Sequence, residues 1–119
     1  DTIVVGADGG NDNGHNSGSA HVFVRNGEEW AYQAKLSAPD GAVNDWFGRS
    51  VAIYGDVIVV GASCDGGNER CSGSAHVFFQ SREGWTPRAK LLAPDVARGD
   101  KFGRSVAIYG DTIVVGAPL

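Results

Sequence analysis

Short runs of apolar residues alternate along the chain with segments rich in glycine, asparagine and aspartate. Residues 50–54 and 57–60 are strand-like, and Gly55-Asp56 between them is a two-residue turn signal, because glycine accepts a positive φ at the first turn position. Two further strand-like runs follow, at residues 75–79 and 85–92. No segment has a sustained helical period. The pattern therefore predicts short antiparallel strands joined by turns.

The same pattern recurs along the chain. The decapeptide FGRSVAIYGD occurs at residues 47–56 and again at 102–111, and DTIVVGA at 1–7 aligns with DVIVVGA at 56–62. The period is 55, and residues 1–55 match residues 56–110 at 33 of 55 positions without a gap. Each period supplies four strands, so it is expected to be one structural unit.

Four-stranded antiparallel units at this spacing indicate blades of a β-propeller. We expect an all-β chain of about two blades plus part of a third, with a partial blade at 1–46, a full blade at 47–101 and the start of the next at 102–119. Ile58-Val59-Val60 is apolar on both sides, which suits a sheet packed between two others. Small residues recur where such sheets would approach closely; they are Gly48, Gly61, Ala62, Gly73 and Ala75.

Three motifs in fixed order resemble a known family. Phe47-Gly48 and Phe102-Gly103 begin the period, and Gly116-Ala117-Pro118 ends its hairpin. Together with SGSAHVF and W-x-x-x-AKL-x-AP-D they are similar to the FG-GAP repeat of integrin α subunits, in its bacterial and algal subtype. The resemblance covers the whole chain and implies the propeller fold. It departs from the family at Gly6–Asp8 and Gly61–Ser63, which replace Gly-Ala-Pro, and at His21 and His76, where the pattern usually has tyrosine.

Calcium is the one metal that the chain suggests. In integrin-type blades an Asp-x-Asp-x-Asp-Gly loop holds it, but here that hairpin is only Tyr54-Gly55-Asp56, too short to surround an ion with six to eight oxygens. The loop at 8–14 instead offers Asp8, Asp12 and Asn13 as ligands. The same residue types also form ordinary long turns. Both interpretations stay open, and the fold is expected to require no cofactor.

Cys64 and Cys71 are the two cysteines, and both lie in one loop. A zinc site would need more soft ligands nearby, so we expect a disulfide between them, with two free thiols as the alternative. The disulfide would indicate an oxidising compartment, that is, a secreted or cell-surface protein.

Composition excludes some partners. The chain has 10 Lys+Arg and 14 Asp+Glu, a net charge of −4, which argues against nucleic acid. Its apolar runs are too short for membrane insertion as a helix. Stacked sheets bury their faces only against neighbours, so further blades are expected from a longer chain or from other copies. The phase of the repeat favours an excerpt of a longer array, without a signal peptide.

The repeated polar and aromatic residues are expected to pack rather than to catalyse. His21 and His76, and Trp30 and Trp85, lie at equivalent repeat positions. We expect both histidines to bond locally between blades and both tryptophans to be buried. Serines and aspartates repeat with the blade, so no catalytic residue is nominated.

The sequence favours a non-catalytic extracellular module for adhesion, recognition or scaffolding. Its binding residues would lie in the loops that vary between copies, since loops on a rigid scaffold carry specificity. Those loops are 8–16 and 63–71, then 41–44 and 96–99, and the ligand would be a protein or a glycan. The alternative is a structural subunit of a filament or surface layer. A third hypothesis is an enzyme with its active site in the central channel of the propeller.

Overall fold

The computed structural model describes residues 1–7, 18–38, 46–63, 73–92 and 102–116. These residues form nine β-strands and no helix. The strands are β1 (Thr2–Ala7), β2 (Ser19–Asn26), β3 (Glu29–Leu36), β4 (Phe47–Tyr54), β5 (Val57–Ala62), β6 (Ser74–Ser81), β7 (Gly84–Leu91), β8 (Ser105–Tyr109) and β9 (Thr112–Gly116).

The strands form three antiparallel sheets in chain order. The first sheet is β1-β2-β3, the second is β4-β5-β6-β7, and the third is β8-β9. Strands β1, β5 and β9 occupy the same place in the repeat, as do β4 and β8. The all-β, four-stranded blade predicted from the sequence is therefore confirmed, complete in the second sheet and partial in the other two.

The tight hairpins predicted from Gly-Asp are present. Gly55 and Gly110 both have φ of 58°, and each joins two strands through a two-residue turn. Glycine tolerates this left-handed conformation because it has no Cβ. The hairpin between β4 and β5 has the two-residue turn at Gly55-Asp56 that the sequence indicated.

The main core lies between the first two sheets. Ala20, Val22 and Leu36 of the first sheet pack against Phe47, Ile58, Val60 and Phe78 of the second. Each buried Val, Leu, Ile or Phe side chain among them contributes about 1.5–3 kcal/mol relative to exposure. Val59, between Ile58 and Val60, is also fully buried, on the opposite face of the second sheet. The second sheet is thus covered on both faces at β5, as the apolar sequence of that strand predicted.

Neighbouring sheets approach each other through glycines. A Cβ added to Gly6 would lie within 3.0 Å of the Gly48 carbonyl, and one added to Gly48 would do the same at the Ser19 carbonyl. The contact recurs one period later between the second and third sheets, where Gly61 lies against the Gly103 carbonyl and Gly103 against that of Ser74. Only glycine permits such close approach of two backbones.

The Phe-Gly dipeptide forms a turn that fits this contact. The Arg49 N–H donates to the Trp46 carbonyl at 3.1 Å, and Gly48 has φ of 95° at the third position of the turn. That is the position at which a type II turn requires positive φ. Phe47 also forms a parallel bridge to Gly18 of the first sheet, and Phe102 forms the equivalent bridge to Gly73. Phe47 and Phe102 therefore make the same backbone contact with the preceding sheet, which explains the exact repetition of their decapeptide, although Phe47 is fully buried and Phe102 only partly.

Candidate functional site

All four long connections between strands begin and end at the strand ends on one side of the sheets. We call this side the loop edge. Ala7 at the end of β1 pairs with Ser19 at the start of β2, and Ala62 pairs with both Phe47 and Ser74. Because the sheets are antiparallel, the short turns lie at the opposite edge, the turn edge, at residues 27–28, 55–56, 82–83 and 110–111.

The segments that vary between the copies belong to these long connections. All of residues 8–16, 41–44 and 96–99, and residues 64–71 of the segment 63–71, lie outside the described residues, although the strand ends that hold them are described. The calcium ligands Asp8, Asp12 and Asn13, the cysteines Cys64 and Cys71, and the repeat residues Ala117 and Pro118 are likewise outside them. Phe47, Gly48, Phe102, Gly103 and Gly116 are described, and the first four form the contacts above.

A serine–histidine pair lies just below the loop edge in each of the first two sheets. Ser19 Oγ is 3.1 Å from His21 Nε2, and Ser74 Oγ is 3.1 Å from His76 Nε2. In the first sheet, His21 Nδ1 is also 3.0 Å from the Tyr32 hydroxyl. Both histidines thus bond locally through Nε2, as the sequence predicted. His21 bonds only within the first sheet and lies on a face that no described sheet covers, so the expectation that it packs between blades was wrong.

The second of these pairs is buried within the packing of the sheets. Ser74 has no exposed surface, and His76 is 3% exposed. The ring of Phe47 packs edge-on against His76 at 5.3 Å and against Phe78 at 6.0 Å, measured between ring centroids. A substrate could not reach the Ser74 hydroxyl without separating the sheets, so the pair stabilises packing.

The first sheet has an apolar face that no described residue covers, which we call the outer face. Ile3 is 41% exposed and Val5 is 47% exposed, whereas their repeat equivalents Ile58 and Val60 are completely buried. The strand registers place further side chains on this face; they are His21, Phe23, Arg25, Trp30 and Tyr32. Phe23 and Tyr32 pack edge-to-face at 5.4 Å, and the Arg25 guanidinium lies 5.8 Å from the Trp30 ring centroid.

The two equivalent tryptophans differ in environment. Trp85 packs partly buried against the core, and its Nε1–H donates to Gln33 Oε1 of the first sheet at 3.1 Å. Trp30 is 44% exposed, so the expectation that it is buried was wrong. The reason is the position of the sheet: the second sheet packs against the first, but no described sheet packs on the outer face.

An apolar groove of about 330 Å³ lies between the second and third sheets. The third sheet has only two strands and leaves part of the second sheet uncovered, so Phe79 is 39% exposed. The groove is lined on one side by Val57, Val77, Phe79, Ala89 and Leu91 and on the other by Ile108 and Ile113.

The described residues contain few features that suggest catalysis or metal binding. Among them, no group of three or more His, Cys, Asp and Glu side chains could hold a metal ion. Every buried side-chain nitrogen or oxygen in the described part of the chain has a hydrogen-bond partner. That part also contains no helix with the length and hydropathy to cross a membrane.

The family model of the FG-GAP repeat matches residues 1–23, 30–78 and 85–119. The chain belongs to the FG-GAP repeat family. The match at 30–78 covers most of β3 in the first sheet, all of β4 and β5 in the second, and the first part of β6. One FG-GAP repeat therefore spans two sheets, and its Phe-Gly turn lies at the contact between them. Comparison with the curated proteins found no match.

Sequence reasoning identified the FG-GAP residues that pack but missed the outer face. Phe23, Arg25 and Tyr32 were not singled out, although the repeat contained a signal for one of them. Tyr32 aligns with Pro87, so an exposed aromatic residue stands in the first copy where the second has proline. The Tyr54–Tyr109 pair at the turn edge, with ring centroids 5.1 Å apart, was also missed.

Proposed function

We propose that this FG-GAP chain is a non-catalytic extracellular module for adhesion, recognition or scaffolding. It binds a protein or glycan ligand through the variable connections at the loop edge. The observation that carries the proposal is the convergence of those connections on one edge of a framework whose repeated residues are occupied in packing.

The chemistry of the framework supports a binding role over an enzymatic one. The Ser19–His21 and Ser74–His76 pairs are the nearest approach to a nucleophile and base among the described residues, and both serines are buried, at 3% and 0% exposure. The polar residues that repeat serve the contact between sheets, for example Ser50, whose hydroxyl donates to the Gly103 carbonyl at 2.9 Å. Such residues hold the scaffold and leave specificity to the connections that differ between copies.

An extracellular location follows from the proposed disulfide between Cys64 and Cys71. FG-GAP repeats occur generally in extracellular and surface proteins, which agrees with that location. Labelling intact producing cells and their medium with a membrane-impermeant amine reagent tests it. The labelled chain is expected in the medium or on the surface, and a chain labelled only after lysis would contradict the proposal.

The module is proposed to need no cofactor, with calcium in the first loop as a separate hypothesis. A chelator is then expected to leave the unfolding midpoint unchanged. Calcium titration followed by calorimetry tests the loop, with Asp8→Asn and Asp12→Asn as variants. If the wild-type chain shows a heat of calcium binding and each variant loses it, the ion is assigned to Asp8 and Asp12. If the wild-type chain shows no heat of binding, the hypothesis is rejected.

The binding role is tested by exchanging connections while the sheets are kept. Residues 8–16 or 64–71 are replaced by Gly/Ser segments of equal length, and a control replaces Arg82 and Glu83 at the turn edge by serine. Binding is measured on arrays of glycans and of extracellular matrix proteins. We expect the wild-type chain to give binding signals that the loop variants lose and the control variant keeps. Signals that depend on the turn edge, or none at all, would contradict the proposal.

A second candidate function is a structural subunit assembled by packing between chains. The exposed outer face favours it, because the same residue positions are buried in the second sheet. Ile3, Val5 and Trp30 would be covered if a further sheet packed on them as the second sheet packs on the first. Electron microscopy of the purified chain distinguishes discrete particles from regular fibres.

A further inference from the structure

Trp46 has a strained backbone conformation at the loop edge. Its φ of 63° lies in the left-handed region, and in the described part of the chain it is the one residue other than glycine with a positive φ. Glycine or asparagine adopts this conformation more easily, whereas a bulky residue there is strained. Strain of this kind is found most often at active sites and ligand contacts. A tryptophan kept at such a position indicates a role for the indole itself.

The Phe-Gly turn holds the main chain of Trp46 in place. Trp46 is the first residue of this turn, since its carbonyl accepts the Arg49 N–H at 3.1 Å. The second residue, Phe47, is fully buried, and the third, Gly48, lies against the Ser19 carbonyl of the first sheet. Because the turn is fixed to both sheets, the position of Trp46 is set by its neighbours.

The indole of Trp46 takes no part in the packing of the described residues. The Arg25 guanidinium lies over the ring of Trp30, and Trp85 donates a hydrogen bond to Gln33. By contrast, no ring contact or side-chain hydrogen bond joins Trp46 to another residue in the described ranges. Its side chain is partly exposed and lies outside the buried core cluster.

Trp46 also lies where two variable connections meet the sheets. It follows the segment 41–44 in sequence. The adjacent residue, Phe47, forms a parallel bridge to Gly18, which is the first described residue after the segment 8–16. The bridge therefore brings the end of one variable connection next to the end of the other, with Trp46 at the junction of the first and second sheets.

The junction of the second and third sheets has the same bridge but a different residue before it. Phe102 is bridged to Gly73, and the residue that precedes Phe102 is Lys101. From the Phe-Gly dipeptide onward the two copies are identical over ten residues, so the framework is unchanged. A residue that packs the blades is expected to repeat with them, whereas a residue that serves one binding site is not. Trp46 distinguishes the first junction from the second.

The residues around Trp46 favour a sugar over a protein surface as its ligand. Ala7, Gly18 and Ser19, which lie against the Phe-Gly turn, are small, so among them Trp46 is the one large side chain. A stable protein interface buries about 800 Å² on each partner and has an apolar centre. A single indole offers a flat apolar face and one N–H donor. These match the C–H face and the hydroxyl groups of a pyranose ring.

We propose that Trp46 is the stacking platform of a glycan site at the junction of the first and second sheets. The C–H face of a pyranose ring packs on the indole, and the indole Nε1–H donates to a sugar hydroxyl. This deepens the proposed binding function and rests on it. It selects a glycan rather than a protein as the ligand, and it assigns the contact to one of the two junctions at the loop edge.

Substitution of Trp46 separates a binding role from a structural one. Trp46→Asn removes the ring and supplies a residue that adopts the left-handed conformation more easily, so it is expected to unfold at the same or a higher urea concentration. Trp46→Phe keeps an aromatic face, and Trp46→Lys copies the residue of the second junction. Trp30→Asn is the matched control, because Trp30 is an exposed tryptophan close to the turn edge.

Binding is measured by calorimetry with soluble oligosaccharides of glucose, galactose, mannose and N-acetylglucosamine, and on the array of extracellular matrix proteins. A second readout is the fluorescence of a chain with Trp30→Phe and Trp85→Phe, in which Trp46 is the remaining one of three tryptophans. A sugar that stacks on the indole excludes water from it, so the emission is expected to shift to shorter wavelength during the titration.

Under the proposal at least one oligosaccharide binds the wild-type chain and the Trp30→Asn control alike. Trp46→Asn and Trp46→Lys weaken that binding by at least about tenfold, and Trp46→Phe weakens it less. Oligosaccharide binding that Trp46→Asn leaves unchanged overturns the platform alone, and the proposed function stands.

Two further outcomes overturn the choice of ligand or of role. Binding to matrix proteins alone, lost in Trp46→Asn, shows a protein site instead of a glycan site. A Trp46→Asn chain that unfolds at a clearly lower urea concentration shows that the indole stabilises the fold. If the wild-type chain binds no oligosaccharide and no matrix protein, both this proposal and the proposed function are overturned.

Discussion

The carbonyl oxygen of Gly103 occupies the position that a Cβ on Gly61 would need. The two residues belong to neighbouring sheets, and the same relationship joins Gly48 to Gly6 one period earlier. Backbone meets backbone at these points, so the Phe-Gly turn of one sheet fits against the glycine near the end of the preceding hairpin. The two ends of the FG-GAP motif are thereby explained as the two sides of one contact.

Burial of equivalent residues differs between the sheets, so equivalent substitutions should lower the free energy of unfolding by different amounts. Ile58→Ala removes a fully buried side chain and is expected to lower the free energy of unfolding by about 2–5 kcal/mol. Ile3→Ala, at the same repeat position but 41% exposed, is expected to lower it by less than about 1 kcal/mol. Urea denaturation at a concentration where the chain is monomeric compares the two, and equal losses would contradict the packing described.

The tryptophans should report the same asymmetry in fluorescence. Trp30 is 44% exposed, whereas Trp85 packs against the core and donates a hydrogen bond to Gln33. Trp30→Phe is expected to remove the red-shifted part of the emission that acrylamide quenches most strongly. Trp85→Phe should remove a blue-shifted, protected part instead. Equal quenching of the two variants would show that Trp30 and Trp85 are equally exposed and would contradict the asymmetry described.

The disulfide between Cys64 and Cys71 remains a prediction from the sequence. Iodoacetamide is expected to add no mass to the denatured, unreduced chain and to label both cysteines after reduction. Reduction should lower the free energy of unfolding by about 2–3 kcal/mol, since the closed loop restricts the unfolded chain. Two labels without a reductant would identify free thiols.

Much of the fold could be predicted because it repeats. The turn at Gly55-Asp56 and the burial of Ile58, Val59 and Val60 follow from local patterns, and the period relates each strand to its counterpart. The exposure of Trp30 could not be predicted, because it depends on whether another sheet covers the residue and not on the surrounding sequence. The positive φ of Trp46, 63°, also has no local signal, since bulky residues rarely adopt it.

The candidate site was predictable only in outline. Comparison of the two copies identified the variable segments, but their convergence on one edge depends on strand direction and register. The outer face became visible only when Ile3 and Val5 could be compared with Ile58 and Val60 in the folded chain. Equivalent residues in a repeat share a conformation, but their environment depends on their neighbours.

The close contact between sheets is tested most directly by Gly61→Ala and Gly116→Ala. Both glycines hold the same repeat position and lie near an equivalent serine, Ser50 or Ser105, but only Gly61 faces a carbonyl of another sheet. The quantity measured is the free energy of unfolding of each variant in urea. Gly61→Ala is expected to lower it by about 2–3 kcal/mol through overpacking, and Gly116→Ala by less than about 1 kcal/mol. Equal effects of the two substitutions would contradict the stacked-sheet account.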